Sequence, residues 1–219
     1  MDEKILNSIS FEIPETLSQS IYNCLKKAII RNKIKPKEKL SEKEIAKSFN
    51  VSRTPVREAL AMLAAEGFVK ITSYRHVIVK AISQEELSEI FQVIGILDGL
   101  ASTSAADNID SNEIIKIKKM TNKLEYYYKQ REIEKYWDIN YEIHNRIWNH
   151  VTNSFLQKTL RNCLDHVRKC YYSLNSASQN NKVLEGSMKF HKEILEAINR
   201  KDKEKLKYII KEHWNLPLL

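Results

Sequence analysis

The chain has 219 residues, enough for one large domain or two small ones. Four glycines and four prolines argue against a turn-rich β protein, and no stretch approaches the roughly 18 uncharged apolar residues that suggest a membrane span. The formal net charge of +8 is uneven: residues 1–80 hold 15 Lys/Arg against 9 Asp/Glu (+6), and the rest hold 21 against 19 (+2), so the basic excess sits where a polyanion is expected to bind.

Residues 1–14 read as a lead-in with no signal-type apolar run. Leu17, Ile21, Leu25, Ala28 and Ile29 have helical spacing, which predicts a first helix over about 16–32. Ser41-x-x-Glu44 is a capping-box pattern opening a short second helix through about Phe49. Asn50 is the turn. Ser52 has the chemistry of an N-cap, its hydroxyl accepting from the first turn of a third helix that runs to about Glu66 and stops at Gly67. Pro55 falls in that first turn, where a missing N–H costs little. Phe68–Ile71 and Val77–Val79 read as two strands joined by a loop over 72–76. Helix, helix-turn-helix and hairpin in that order predict a winged helix-turn-helix domain over residues 1–80.

A second capping box, Ser83-x-x-Glu86, opens a segment that reads as helical to the end. Leu87, Ile90, Phe91, Ile94, Leu97 and Ala101 mark one amphipathic helix, and Ile114, Ile117, Met120 and Leu124 mark another. Further helices are predicted near 133–150, 154–176, 182–200 and 202–215. The fold class is therefore mainly α, with an all-α bundle over residues 81–219 behind the winged domain. Cys24, Cys163 and Cys170 make no disulfide framework and fit a reducing, cytoplasmic setting. Tyr126–Tyr128 and the Tyr171, Tyr172 pair read as packing and surface aromatics.

The third helix carries the first chemistry. Arg53 and Arg57 are four apart and share a face, while Val56, Leu60 and Leu63 lie on the other. Arginines near the positive end of a helix with an apolar back suit a DNA major groove. The words Leu40-Ser41-Glu42-Lys43-Glu44-Ile45-Ala46 and Val51-Ser52-Arg53-Thr54-Pro55-Val56-Arg57-Glu58-Ala59-Leu60, then Leu63-x-x-Glu66-Gly67, are long and ungapped. Residues about 17–80 thereby resemble the DNA-binding domain of the GntR family of bacterial transcription regulators. The resemblance implies a homodimer on double-stranded DNA with a palindromic operator. It places Arg53 and Arg57 on guanine edges or phosphates, Thr54 and Ser52 at the backbone or a base, and Lys43 where relatives often carry a basic contact. The family's wing usually bears an Arg-Gly pair; here it reads Arg75-His76, which keeps the cation and loses the glycine.

Histidines carry the second. His144 shares a face with Tyr141, Ile147, Trp148 and Val151; His191 lies with Ile194, Leu195 and Ile198; His213 follows Leu206, Ile209 and Ile210. Three inward histidines on three helices can meet at one point, and imidazole is the commonest metal ligand. Asn140, four before His144, is about 40° off its face, whereas Asp138 and His150 are about 120° away. His166 has no such pattern and reads as surface or helix-end.

Residues about 83–216 resemble the FCD domain, the helical effector domain of the FadR subfamily of GntR regulators. That domain often holds a divalent metal through Asp or Asn and three histidines. The matching residues are Asn140, His144, His191 and His213, with Ile143 in place of the usual phenylalanine. Asn offers a neutral carbonyl where Asp brings charge, so lower affinity is expected, with Zn, Ni and Mn all open. The family's arginine in the first effector helix is missing from Val93–Asp98, and Asp98 stands where glutamate is usual. Asp98, Arg161 and Arg168 are the candidates to line a pocket for a small-molecule effector, such as an organic acid.

Three functions are compatible with these residues. One is a ligand-responsive, sequence-specific transcription regulator, with repression the usual sense in the family. Another is a metal-dependent enzyme on the helical domain, against which stands the lack of a nucleophile motif or a His-Glu-x-x-His base. The third is a nonspecific DNA binder. The first is the reading adopted, with no enzymatic activity.

Overall fold

The structure, a computed structural model, describes residues 16–72, 76–173 and 181–215. The lead-in and Arg75 lie outside the described residues. The chain separates into two compact units, residues up to Lys80 (without Ile30–Asn32) and residues from Ala81 on. Among the described residues no helix is long and apolar enough to cross a membrane.

The first unit runs α1 (Leu17–Ile30), β1 (Lys39–Leu40), α2 (Glu42–Phe49), α3 (Arg53–Ala65), β2 (Val69–Ile71) and β3 (Val77–Val79). Ile21, Leu25 and Ile29 of α1 are buried, as are Val56, Ala59, Leu60 and Leu63 of α3 and Phe68, Val69, Val77 and Val79 of the sheet region. Tyr22 donates to Glu66 Oε2 at 2.6 Å and Lys26 donates to the same oxygen at 2.9 Å, which ties α1 to the end of α3. Burial, then the Glu66 contact, pushes the Tyr22 hydroxyl up to about 12. Asn50 ends α2 in the left-handed region at φ 54°, and Gly67 follows α3 at φ 80°, where glycine carries no Cβ penalty.

Three local expectations change. The sheet has a third strand: β1 pairs antiparallel with β3, giving the order β1-β3-β2. Two residues are too few to show alternation. At α2 only the serine half of the capping box forms, Ser41 Oγ accepting from the Glu44 N–H. At α3, Ser52 has the extended backbone of an N-cap but its side chain makes no cap hydrogen bond. The third position of the helix, a natural donor to a cap, is Pro55, which has no N–H.

The second unit runs α4 (Gln84–Ala105), α5 (Ser111–Lys129), α6 (Ile133–Trp148), α7 (Ser154–Ser173), α8 (Asn181–Arg200) and α9 (Lys203–Trp214). Both halves of the Ser83–Glu86 capping box are present. The core is one cluster that includes Ile94, Ile117, Leu124, Tyr136, Ile143, Trp148, Leu160, Ile194, Leu206 and Ile210. α4 packs on α9, α7 and α6, while α5 packs on α6 and α8 and α9 on α8. That arrangement turns the inner faces of α6, α8 and α9 toward one another. His166 is half-buried mid-way along α7 rather than at its end or on the surface, because α7 continues past it for two turns.

Candidate DNA interface and metal centre

On the first unit, Lys43, Ser52, Arg53, Thr54 and Arg57 are all exposed. They occupy α2 and the first turns of α3, whose opposite face supplies Val56, Leu60 and Leu63 to the core. The Arg53 side chain makes no hydrogen bond or ion pair among the described residues. Arg57 does: its Nε donates to both Glu42 oxygens, at 3.2 and 3.3 Å, and its Nη2 donates to Oε2 at 3.0 Å. That contact raises the Arg57 pKa further, so the group stays a cation. A guanidinium has five N–H donors, so Nη1 and the outer hydrogen of Nη2 still face away from Glu42. The Ser52 hydroxyl, left out of the cap by Pro55, is an unused donor and acceptor at the positive end of α3.

On the second unit, His144 (α6), His191 (α8) and His213 (α9) converge, each no more than 6 % exposed. His144 Nε2 lies 3.3 Å from His191 Nε2 and 3.3 Å from His213 Nε2, and the three ligating atoms lie within 4.8 Å of one another. His191 Nδ1 is 2.7 Å from the Ser187 carbonyl oxygen. A carbonyl only accepts, so Nδ1 carries the hydrogen and Nε2 presents a bare lone pair. His144 Nδ1 faces Asp98 Oδ2 at 3.5 Å, which orients its ring in the same sense. One hydrogen serves one of the two Nε2 contacts and leaves the other as lone pair against lone pair. Extra protons are disfavoured: burial, then nearby His144, holds His191 down to about 3, and burial with the two neighbouring rings holds His213 well below its usual value.

The arrangement fits a cation. Two imidazole nitrogens bound at about 2.1 Å to a tetrahedral ion stand about 3.4 Å apart. Asn140, one turn before His144, has a buried Oδ1 with no hydrogen-bond partner, and His213 Nδ1 is in the same condition. A cavity of about 30 Å³ adjoins the cluster, lined by Asn140, Ser187, His213 and Arg168 among others but not by His144 or His191. It has room for a water beside the histidines.

The three residues singled out as effector contacts separate. Arg168 lines this cavity, stacked 3.9 Å over the Tyr141 ring and donating to Asp138 at 2.9 Å. Arg161 does not line it; its guanidinium donates to Asn145, Asn149 and Gln157. Asp98 is sealed in the core. Its Oδ1 accepts from Trp148 Nε1 at 2.6 Å and Ser102 Oγ at 2.8 Å, and its Oδ2 accepts from Trp214 Nε1 at 2.8 Å. Burial opposes its ionisation, but His144 and the two indoles outweigh that and keep the carboxyl below the usual carboxylate range. Asp98 thus stands against His144, with both oxygens taken by partners within the chain. Sequence reading missed this supporting layer of Asp98, Trp148, Ser187 and Trp214. A faint signal existed: Ser187 and Trp148 each lie four residues from a histidine, and Trp214 is adjacent to one.

Comparison with known proteins gives these sites their setting. Residues 17–79 match the domain described as bacterial regulatory proteins, gntR family, and residues 89–216 match the FCD domain. The chain belongs to the GntR family, in its FCD-containing branch. This GntR protein is 26% identical to the HTH-type transcriptional regulator YdhC of Bacillus subtilis (strain 168), over 96% of this chain and 93% of that one. It is 24% identical to the HTH-type transcriptional repressor RspR of Escherichia coli (strain K12), over 91% and 86% of the two chains. Its fold is similar to that of E. coli McbR/YncC, with a TM-score of 0.79 at 21% identity, covering 91% of this chain and 94% of that one. The GntR protein is a transcription regulator with a DNA-binding head and an effector domain. GntR regulators bind DNA, and FCD domains bind small-molecule effectors. The winged helix-turn-helix head and helical second domain expected from sequence are the architecture found.

Proposed function

We propose that this regulator is a cytoplasmic homodimeric repressor of the FadR subfamily, released from a palindromic operator by a small molecule bound at a metal-containing pocket. Residues 1–80 form the DNA head and residues 81–219 the effector and dimerisation domain. Arg53 and Arg57 read bases, with Lys43, Ser52 and Thr54 on the backbone beside them and Arg75 at the wing. A dimer sets two recognition helices about 34–36 Å apart, which calls for half-sites one DNA turn apart. The name of the relative RspR, a repressor, supports the repressor sense.

The observation that carries the pocket is the pair of 3.3 Å contacts between buried imidazole nitrogens with one ring's hydrogen already committed to Ser187. His144, His191 and His213 hold a divalent ion, with the Asn140 carbonyl as fourth ligand; Zn, Ni and Mn are the ions to test. When bound, the ion supplies a positive centre for an anionic ligand such as an organic acid, and Arg168 offers a second cation on the same cavity. Drug-sized ligands occupy about 300–1,000 Å³, so an organic effector enters only as the lining side chains part. An effector that binds one conformation of the dimer better than the other shifts operator occupancy by that difference.

The test is metal analysis of untagged protein, followed by thermal melts with added Zn, Ni or Mn. About one ion per chain and a raised melting temperature are expected. Protein that carries no ion and does not respond to any of the three overturns the metal reading.

A further inference from the structure

The cavity beside the histidines has walls of a particular kind. Phe91, Trp137, Tyr141, Tyr171 and Trp214 border it together with three aliphatic residues, and four polar residues complete the lining. Ser187 is turned to His191, and Asn140 and His213 belong to the metal cluster. Arg168 is the polar residue left over. Two of the rings, Trp137 and Tyr171, lie face to face, with centroids 3.7 Å apart and planes 14° from parallel.

Arg168 is held but not used up. Its Cζ stands 3.9 Å over the Tyr141 ring, and its Nη2 donates to Asp138 Oδ1 at 2.9 Å. Asp138 is itself shared, because its Oδ2 accepts at 2.9 Å from Arg31, which packs with the second unit. Asp165 Oδ1 stands 3.6 Å from Nη1, beyond hydrogen-bonding distance. The Arg168 Nε–H is buried and has no acceptor among the described residues. A buried donor without a partner costs free energy, which a ligand's acceptor recovers.

Resting on the effector-pocket reading above, we propose that this cavity opens to take a flat aromatic monocarboxylate, its carboxylate on the Arg168 Nε–H and its ring against the Trp137–Tyr171 pair. Guanidinium N–H bonds lie in the plane of the group, so Nε–H aims a carboxylate along one direction. In an arylcarboxylate the ring shares the carboxylate's plane, and the molecule enters as a slab one ring thick. The closed cavity of about 30 Å³ holds a water, and a slab asks its walls to part in one direction only. A saturated ring of the same carbon count is puckered and thicker, and it forfeits the stacking that aromatic pairs gain beyond their buried area. A second carboxylate or a row of hydroxyls meets five aromatic and three aliphatic side chains. Each such polar atom is then buried unpaired, and the site rejects it.

Titrations of the full-length protein, read by the fluorescence of its tryptophans, test this with four probes. Benzoate carries both features. Cyclohexanecarboxylate keeps the charge without the flat ring, benzamide keeps the ring without the charge, and succinate adds a second carboxylate. Benzoate is expected to bind about tenfold tighter than each of the other three. Trp137→Leu is expected to bring benzoate and cyclohexanecarboxylate within about threefold of each other. Arg168→Met is expected to reduce benzoate to the level of benzamide, with unchanged helical circular dichroism in both variants. The wild-type series decides the matter if a variant fails to fold. Equal binding of cyclohexanecarboxylate or succinate, or no binding of benzoate, overturns the aromatic class and leaves the metal and operator readings where they stand. Tight benzoate binding with no change in operator affinity keeps the class and overturns the effector reading instead.

Discussion

The regulator handles its two functional clusters in opposite solvents. Arg53 and Arg57 stand in water on α3, where charge costs nothing to keep and little to redirect. His144, His191 and His213 stand in the core, each supported by a further shell of partners. In the first cluster Arg57 is tied to Glu42 and not to Arg53, so removing one arginine leaves the other as it was. In the second, removal of one strands the others, because buried polar atoms have no water to turn to. The surface cluster suits a partner whose sequence is sampled many times; the buried one suits a ligand held in one geometry.

Four measurements press on that contrast. His144→Ala removes the ring that touches both others, so metal content should fall from about one ion per chain to none. If the ion is present at about 1,000 times its dissociation constant, the lost stabilisation is about 4 kcal/mol, or about 10 °C in the melting temperature at this chain size. Metal content and melt should move together while the DNA head keeps its affinity; intact metal content in this variant removes the histidines from the site.

Acid should act on the buried cluster of metal-free protein next. The folded state holds His191 down to about 3, below its usual 6.5, so between those values the unfolded chain binds a proton that the folded chain refuses. The stability is complete above about pH 6.5 and is lost as pH falls toward 3, at up to about 1.4 kcal/mol per pH unit for each such histidine. Urea melts at pH 7 and pH 5 read this directly, and equal midpoints count against buried neutral rings.

Arg53→Ala belongs to the exposed cluster. A bidentate arginine–guanine pair is worth about 1–3 kcal/mol of discrimination, so operator affinity should drop and selectivity relax at one base, with folding and metal content unchanged. Fluorescence anisotropy on operator variants separates this from a uniform loss, the mark of a phosphate contact.

The smallest effect compares two caps. Ser41 accepts from the Glu44 N–H, so Ser41→Ala should cost about 1 kcal/mol. Ser52 makes no such bond, so Ser52→Ala should leave stability within about 0.5 kcal/mol and act only on DNA binding. Equal losses in denaturant melts place Ser52 in the fold after all.

Legibility followed the length of chain each feature needs. The α3 helix, its turn at Asn50 and its stop at Gly67 are set within a few residues, and the words from Leu40 to Gly67 carry them whole. The offset of Asn140 from His144 is likewise one helical turn. The Arg57–Glu42 pair joins two helices, and nothing in either helix announces it. The missing Ser52 cap bond has a local cause in the sequence itself: the proline at the donor's place. β1 escaped because two residues carry no period and its pairing with β3 spans nearly forty positions. The partners of Asp98 are invisible in the sequence, because Trp148 and Trp214 reach it from α6 and α9.

The sequence by itself determined the order of the elements, the cationic face of α3 and which histidines lie on apolar stripes, because each follows from the period of a helix and the chemistry of its caps. Only the tertiary structure decided that the Nε2 atoms of His191 and His213 both meet that of His144, that Asp98 stands against His144, and that Arg168 borders the cavity while Arg161 does not. Those outcomes depend on the rotation and depth of one helix against another, which the packing of the whole core sets and no single segment encodes.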